Sequence, residues 1–552
     1  MNAEVLPYHW DDRNKLFSDY KELEILYEVI LDELAIKLNR IHSINNSSRY
    51  WRILIGPWLG FFIHILFDKW FMLKQTIEET QIHTCKVIQR NNLSVIPNDM
   101  GIFNKMILDD WWHEAIYGQL LETYWSKEIT IEKIMAKERT KDNPLLAQKR
   151  MKVLLKNWIN KSVFSYNKSV SNRNEFFFIS TYLPFTINLK LQVLLGEFPK
   201  LWSTVQPHIV KADLQNRKWK IDKFGKKATT FETVLRKMIP LHIPTIYLEG
   251  YKNLLMMANK NNWPKTPKAI FTSNSYLTDD FFKVWVAEKT KLGTPLIIGQ
   301  HGGHFGMTPF AFHEDHQIKI ADKWISWGWS DKKRPQIVPI GNLKTIGKKV
   351  RYDPNGNAIM VEMAIPRYSY HLFAGPISSQ YLGYFEDQKR FIKELPKSIK
   401  KKVLIRISPN DYGWDQEMRW RNHSTELKID IGNKHISKVV KKCRIYIATY
   451  NATTYLESLA WNMPTIIFWN INHWEIKDDV QPYFDLLKSV GIFHETPENA
   501  AQKMIEIWGD VESWWNSNEV QSARRKFCEM YSKTPKTPLQ ELVSLFRKTT
   551  SS

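Results

Sequence analysis

TYNATTYLESLAWNMPTIIFWN, Thr449–Asn470, is the stretch whose reading decides the fold. The β-branched run RIYIA, Arg444–Ala448, leads into it. A Tyr-Asn-Ala-Thr-Thr corner follows, then an amphipathic helix, then Pro464 opening a second buried strand. This is a strand–turn–helix–strand unit of a parallel sheet. The corner offers hydroxyls, an amide and free backbone N–H groups at a helix N-terminus, which suit phosphate oxygens. In α/β proteins that position, beyond the carboxyl ends of the strands, is where nucleotides bind.

Working outward, further strands fall at Lys268–Asn274, Pro295–Gly303, Lys323–Trp329 and Ile337–Asn342, and again at Ala358–Ile365 and Lys402–Ile407. A Pro/Gly/Asn-rich linker, Lys348–Asn357, separates the two series. Upstream, Asn14–Ile41, Tyr50–Lys74, Trp111–Trp125 and Ile129–Ile159 read as helices, and Glu175–Pro184 as a strand. The tail Glu498–Lys548 reads as helical. The expected fold class is α/β, with two Rossmann-like halves facing a cleft: a helix-rich domain over residues 1–347 and a second domain over residues 358–552 with a helical tail.

The 552 residues hold 78 Lys and Arg against 57 Asp and Glu, a formal charge of +21. Nucleic acid, an anionic membrane surface or phosphorylated small molecules would all match that sign. The bases are scattered apart from Lys223–Lys227 and Lys393–Lys402, and no nucleic-acid module is visible, which disfavours nucleic acid. The 3 cysteines are far apart, so neither a metal spacing nor a disulfide framework follows, and a reducing cytoplasm fits. The first residues are polar and acidic, unlike a signal peptide. The apolar run Ile53–Phe67 is short for a membrane span and holds Pro57 and His64, so a buried helix is expected.

Several constellations carry candidate chemistry. In GQHGGHFG, Gly299–Gly306, four glycines let the backbone turn sharply and approach a ligand. His301 and His304 sit on that turn as a candidate base or a hydrogen-bond donor to a phosphate or carboxylate, with Glu314, Asp315 and His316 close enough in sequence to orient an imidazole. In RISPNDYGW, Arg406 ends a strand, where a guanidinium grips phosphate in bidentate fashion, and Ser408 lies just beyond. Asn451, Thr453 and Thr454 form the anion corner, and Glu457 one turn later suits ribose hydroxyls. LPYHWDDR supplies His9, Asp11 and Asp12, either an N-cap cluster or an acceptor-binding loop. Trp58 is helix core or the wall of a sugar site. GxxxxGK(S/T), GxSxG, HExxH and GxGxxG are all missing from the sequence, and no DxD-type metal site is evident, so metal-independent transfer without a cofactor is expected.

LPYHWDDR, SRYWRILIGPWLG, GQHGGHFG, DYGW and YNATTYLESLAWNMPTIIFWN together resemble a bacterial transferase family first described from Leptospira surface-carbohydrate loci. The resemblance runs from Leu6 to about Met504. It implies a GT-B nucleotide-sugar glycosyltransferase in lipopolysaccharide, capsule or related glycan assembly. Its partners would be a nucleotide-sugar donor and a glycan or glycolipid acceptor at the cytoplasmic face of the membrane, with a CMP-activated acidic sugar as one donor class. It also implies a further N-terminal strand segment ahead of LPYHWDD, whereas this chain begins almost at that motif. Two alternatives stand beside it: CDP-polyol phosphotransfer of the teichoic-acid type, and a non-enzymatic glycan- or lipid-binding protein.

Overall fold

The computed structural model describes residues 5–80, 82–135, 174–221 and 230–551. Its strands are β1 (Thr84–Gln89), β2 (Thr130–Met135), β3 (Phe177–Phe178), β4 (Ile270–Thr272), β5 (Leu296–Gly299), β6 (Lys323–Ser326), β7 (Ile337–Pro339), β8 (Asn357–Val361), β9 (Val403–Arg406), β10 (Lys428–Asp430), β11 (Cys443–Ala448), β12 (Thr465–Phe468) and β13 (Phe493–His494). They form two large sheets and one small pair, all parallel. The first large sheet runs in chain order, β3-β4-β5-β6-β7; the second has the order β10-β9-β8-β11-β12-β13. That second order reverses between β8 and β11, the switch point that opens a crevice at the carboxyl ends of the strands. The α/β class is as expected.

The β1–β2 pair was not expected. Thr130–Met135 lies in a stretch read as helix, but three of its six residues, Thr130, Ile131 and Ile134, are β-branched. It pairs residue for residue with Thr84–Gln89, an arrangement that single-segment periodicity does not reveal. The rest of that supposed helix, residues 136–159, lies outside the described residues, as does the Lys223–Lys227 cluster.

Two long helices open the chain. Helix α1 (Arg13–His42) is capped by Asp12, whose carboxylate accepts from the N–H groups of Asn14 and Lys15. Helix α2 (Ser48–Glu79) is capped by Ser47 and buries residues on every side from Ile53 to Leu66. It is long and apolar enough to cross a membrane by composition, but its apolar window is packed inside the protein, as expected of a core helix.

The boundary between halves is not a single cut at residue 348–357. The last helix, Pro538–Ser551, returns to the first sheet. Leu542, Leu545 and Phe546 pack there against Phe176, Phe178 and Phe271. Burial of each such side chain contributes roughly 1.5–3 kcal/mol. Sequence order assigned this tail to the second domain; its apolar stripe assigns it to the first. The loop after β8 also crosses over. Phe312 N–H donates to Leu372 O at 3.0 Å and Ala374 N–H to Phe310 O at 3.1 Å.

Candidate functional site

The two strand-end corners meet. A Cβ built on Gly303 would lie 2.2 Å from the carbonyl carbon of Ala452 and 2.4 Å from Thr453 N. The backbone of the glycine-rich corner after β5 therefore lies directly against the entrance of the helix Thr453–Ala460 after β11. Ala448 pairs with both Val361 and Ile467, so the ends of β8, β11 and β12 are level beneath this junction.

Gln300 fixes the first corner. Its side-chain carbonyl accepts from Trp327 N–H at 2.9 Å and Trp329 Nε1 at 3.1 Å, and its amide donates to Gly302 O at 2.8 Å. Gly306 has φ +80, and its Cβ would enter the Trp329 indole. Glu314 is buried and accepts from Gly306 N–H at 2.6 Å while pairing with Arg334 at 3.1 Å. It thus braces the turn and makes no hydrogen bond to either candidate imidazole. Asp315 accepts from Tyr20 Oη at 2.8 Å, and His316 is buried against Phe312, so neither orients His301 or His304.

His301 stacks on Tyr182 with ring centroids 6.0 Å apart, and its Nδ1 is buried without a hydrogen-bond partner. Burial, assisted by the Lys344 charge, pushes its pKa down to about 4. His304 stacks on Phe373 at 5.0 Å; burial and the neighbouring His371 and His301 push it down to about 3. Both rings are neutral near pH 7, so a free lone pair is available to take a proton. An anion beside them would raise their affinity for one.

On the other side of the junction, no side chain caps the helix Thr453–Ala460. Its first-turn N–H groups are the unsatisfied donors of any helix start. Asn451 is fully buried with Oδ1 held by Tyr455 Oη at 3.0 Å and Nδ2 left unpartnered. An unpartnered buried amide donor calls for an acceptor. Thr454 Oγ1 contacts Tyr450 Oη at 3.0 Å. Glu457 is buried and ion-paired with Lys344 at 3.0 Å, a link from the loop after β7 to the second sheet. Burial pushes the His435 pKa down, and the charges of Glu457, Lys348, Lys344 and Arg406 also act on it.

Other expected residues lie elsewhere or do other work. The guanidinium of Arg406 is occupied: NH1 donates to Asp430 at 2.5 Å, and NH2 to the carbonyls of Gly432 at 3.3 Å and Lys434 at 2.5 Å. It clamps the loop after β10, so its bidentate face is not open to phosphate. Ser408 lines a separate groove of about 720 Å³ with Asp411, Asp415 and Gln416. Asp411 accepts from Asp415 N–H at 2.8 Å and Gln416 N–H at 2.7 Å, a turn acceptor. Trp58 is fully buried and stacks on Phe62, so it is core rather than a sugar-site wall. His9 is buried 3.2 Å from Asp68, and Asp12 is the cap of α1. Asp11 accepts from Ser379 Oγ at 2.5 Å, and Arg13 pairs with Glu475 at 2.6 Å. The segment is thus a strap between the halves. Among the described residues, no group of three or more His, Cys, Asp or Glu is placed to hold a metal ion.

Lys344, Tyr182, His371 and the Trp327–Trp329 pair were not singled out from sequence. Lys344 lies in the loop after β7, in no motif. Tyr182 shows itself only through its backbone, φ +58.

The fold and this junction define an α/β protein of two parallel sheets whose strand-end corners meet. The LIC12162 family transferase model matches residues 1–546, and the chain belongs to that family. No curated protein matches it. Solved structures to which it is similar include MurG of Acinetobacter baumannii, at 11% identity and TM-score 0.30 over 85% of this chain and 100% of that one. Another is the spinosyn rhamnosyltransferase SpnG complexed with spinosyn aglycone, at 11% and 0.29 over 54% and 80%. The catalytic domain of starch synthase IV from Arabidopsis thaliana follows at 7% and 0.28 over 62% and 82%.

Proposed function

We propose that this transferase is a metal-independent, GT-B-type glycosyltransferase that uses a nucleotide-sugar donor and serves surface-polysaccharide or lipopolysaccharide assembly. One observation carries the reading: the Gly303 backbone packs on Ala452–Thr453, bringing an imidazole-bearing corner against an uncapped helix start with an unpartnered buried amide. The donor's phosphate would sit on the N–H groups of the first helical turn with the hydroxyls of Thr453 and Thr454 and the amide of Asn451. Glu457 would take the ribose hydroxyls, with Lys344 released from it to offset phosphate charge. In the transfer, the bond from the anomeric carbon to the phosphate oxygen breaks and its electron pair leaves with the nucleotide. The acceptor oxygen bonds to the anomeric carbon, and its proton passes to His301.

A CMP-activated acidic sugar is the donor class we favour on the family resemblance and on Lys344 and Lys348, whose charges reach His435. The acceptor would be a glycan or glycolipid, and the site of action the inner face of the cytoplasmic membrane with peripheral contact. A thermal-shift screen of CMP, CDP, UDP and GDP compounds tests the reading, since a ligand that binds only the folded state raises the melting temperature. His301→Ala should abolish transfer while leaving nucleotide binding and folding intact. Normal turnover in that variant would remove His301 from the mechanism.

A further inference from the structure

The helix Phe185–Leu194 has two apolar faces. One is buried: Leu191 and, just past its end, Leu195 pack with Phe178, Ile346 and Leu542 against the first sheet. The other faces solvent, with Phe185 59%, Val193 57% and Leu194 48% exposed. Phe198, just beyond the turn at Gly196, is 67% exposed, and Tyr182, just before the helix, is 42% exposed. A helix apolar on both sides normally has partners on both sides, and a run of exposed large side chains of this kind marks an interaction surface.

The surroundings of this patch are basic. Lys190 is exposed on the same face of the helix. Gly347, whose Cβ would lie 3.2 Å from Ile187, brings the exposed Lys348 and Lys349 alongside. Arg547 of the last helix donates to Leu194 O at 3.1 Å, and Lys548 follows it. Lys344 lies 5.7 Å from the centre of the Tyr182 ring. From Tyr182 to Leu201 the sole acidic residue is Glu197, and it faces Lys268 at 3.7 Å. Exposed aromatic and aliphatic side chains ringed by Lys and Arg are the chemistry of an interfacial lipid contact.

We propose that Phe185, Val193, Leu194 and Phe198, with Lys190, Lys348 and Lys349, form a docking face for an anionic phospholipid bilayer. Because Tyr182 stacks on His301, the face borders the crevice. Docking would hold the mouth of the crevice at the lipid surface, where a lipid-linked acceptor lies. That last step rests on the proposed transfer to a glycolipid; the docking itself does not.

The test is co-sedimentation of the full chain, without donor or acceptor, with vesicles of phosphatidylethanolamine containing phosphatidylglycerol, and with phosphatidylcholine vesicles. Wild type should bind the anionic vesicles, less so at raised salt, and bind phosphatidylcholine weakly. Phe185→Ser/Leu194→Ser/Phe198→Ser should weaken binding about tenfold or more, given the apolar area removed, with melting temperature and nucleotide-induced shift unchanged. Lys348→Glu/Lys349→Glu should weaken anionic binding without touching the apolar side chains. Wild type that stays in the supernatant with anionic vesicles overturns the proposal. So does equal binding to both vesicle types, or a triple variant that binds normally. A chain that is dimeric in solution, becomes monomeric in the triple variant and ignores vesicles would assign the face to a second copy instead. Vesicle binding without any nucleotide response would sink the glycosyltransferase reading and leave the docking face standing.

Discussion

Replacing Gly303 by alanine tests the junction of the two corners with one methyl group. The new Cβ would lie 2.2 Å from the carbonyl carbon of Ala452, 2.4 Å from its oxygen and 2.4 Å from Thr453 N. Ordinary carbon contacts sit at roughly 3.5–4.0 Å, so the corners must separate by more than about 1 Å. The obstacle is backbone on both sides, and no flexible side chain can swing away. Gly303 is not among the glycines at positive φ, so alanine brings no conformational strain of its own and the effect is steric. Overpacking of this kind costs about 1–3 kcal/mol. A misplacement near 1 Å in a transfer site costs about 10²-fold in rate. The expected outcome is a lowered melting temperature, a loss of kcat/KM near two orders of magnitude, and a weaker nucleotide-induced thermal shift. Gly383→Ala is the control: it sits in the helix Tyr381–Glu394 with nothing within 4 Å of its Cβ position, and alanine there should be neutral or slightly stabilising. A Gly303→Ala protein with wild-type stability and turnover would refute the claim that the two corners work as one site.

The remaining predictions concern groups that hold or tune the same region. Gln300→Ala leaves the N–H groups of Trp327 and Trp329 without their acceptor and should cost about 1–3 kcal/mol, read by denaturant unfolding, with a parallel loss of turnover. His64, His242, His301, His304 and His371 have pKa values pushed down by burial, to about 3 or 4. Folded protein therefore binds fewer protons than unfolded protein below the ordinary histidine value. Their contribution to stability is full above about pH 6.5, and is lost as pH falls toward 4. Thermal melts across that range should show a steep acid decline, and a flat profile would contradict the burial. Glu362 has the opposite sign: burial raises its pKa to about 8, opposed by the hydrogen bond from Trp420. Its contribution falls as pH rises from the ordinary carboxylate value through 8. Glu362→Gln should remove that alkaline decline, worth about 1.4 kcal/mol per pH unit inside the window.

Reading the chain in one dimension located the corners well because each is a local signal. Glycines at Gly299–Gly306 and a hydroxyl-rich strand exit at Tyr450–Thr454 follow from backbone freedom and helix-start chemistry, which depend on near neighbours. Most strand positions were legible for the same reason: buried parallel strands are short apolar runs between turn residues. The strands that escaped, β1, β2, β10 and β13, are short or partly exposed, and their state depends on the partner they pair with.

Amino-acid order alone thus determined that there are two series of parallel α/β units, a phosphate-suited helix start and an imidazole-bearing turn. Only the folded chain decided that Gly303 rests on Ala452, that Lys344 reaches Glu457, that Arg406 is consumed by Asp430 and that the last helix belongs to the first sheet. These are contacts between residues far apart in the chain. Whether a guanidinium is free or a carboxylate is paired depends on what arrives from the other half, and sequence spacing carries no record of that arrival.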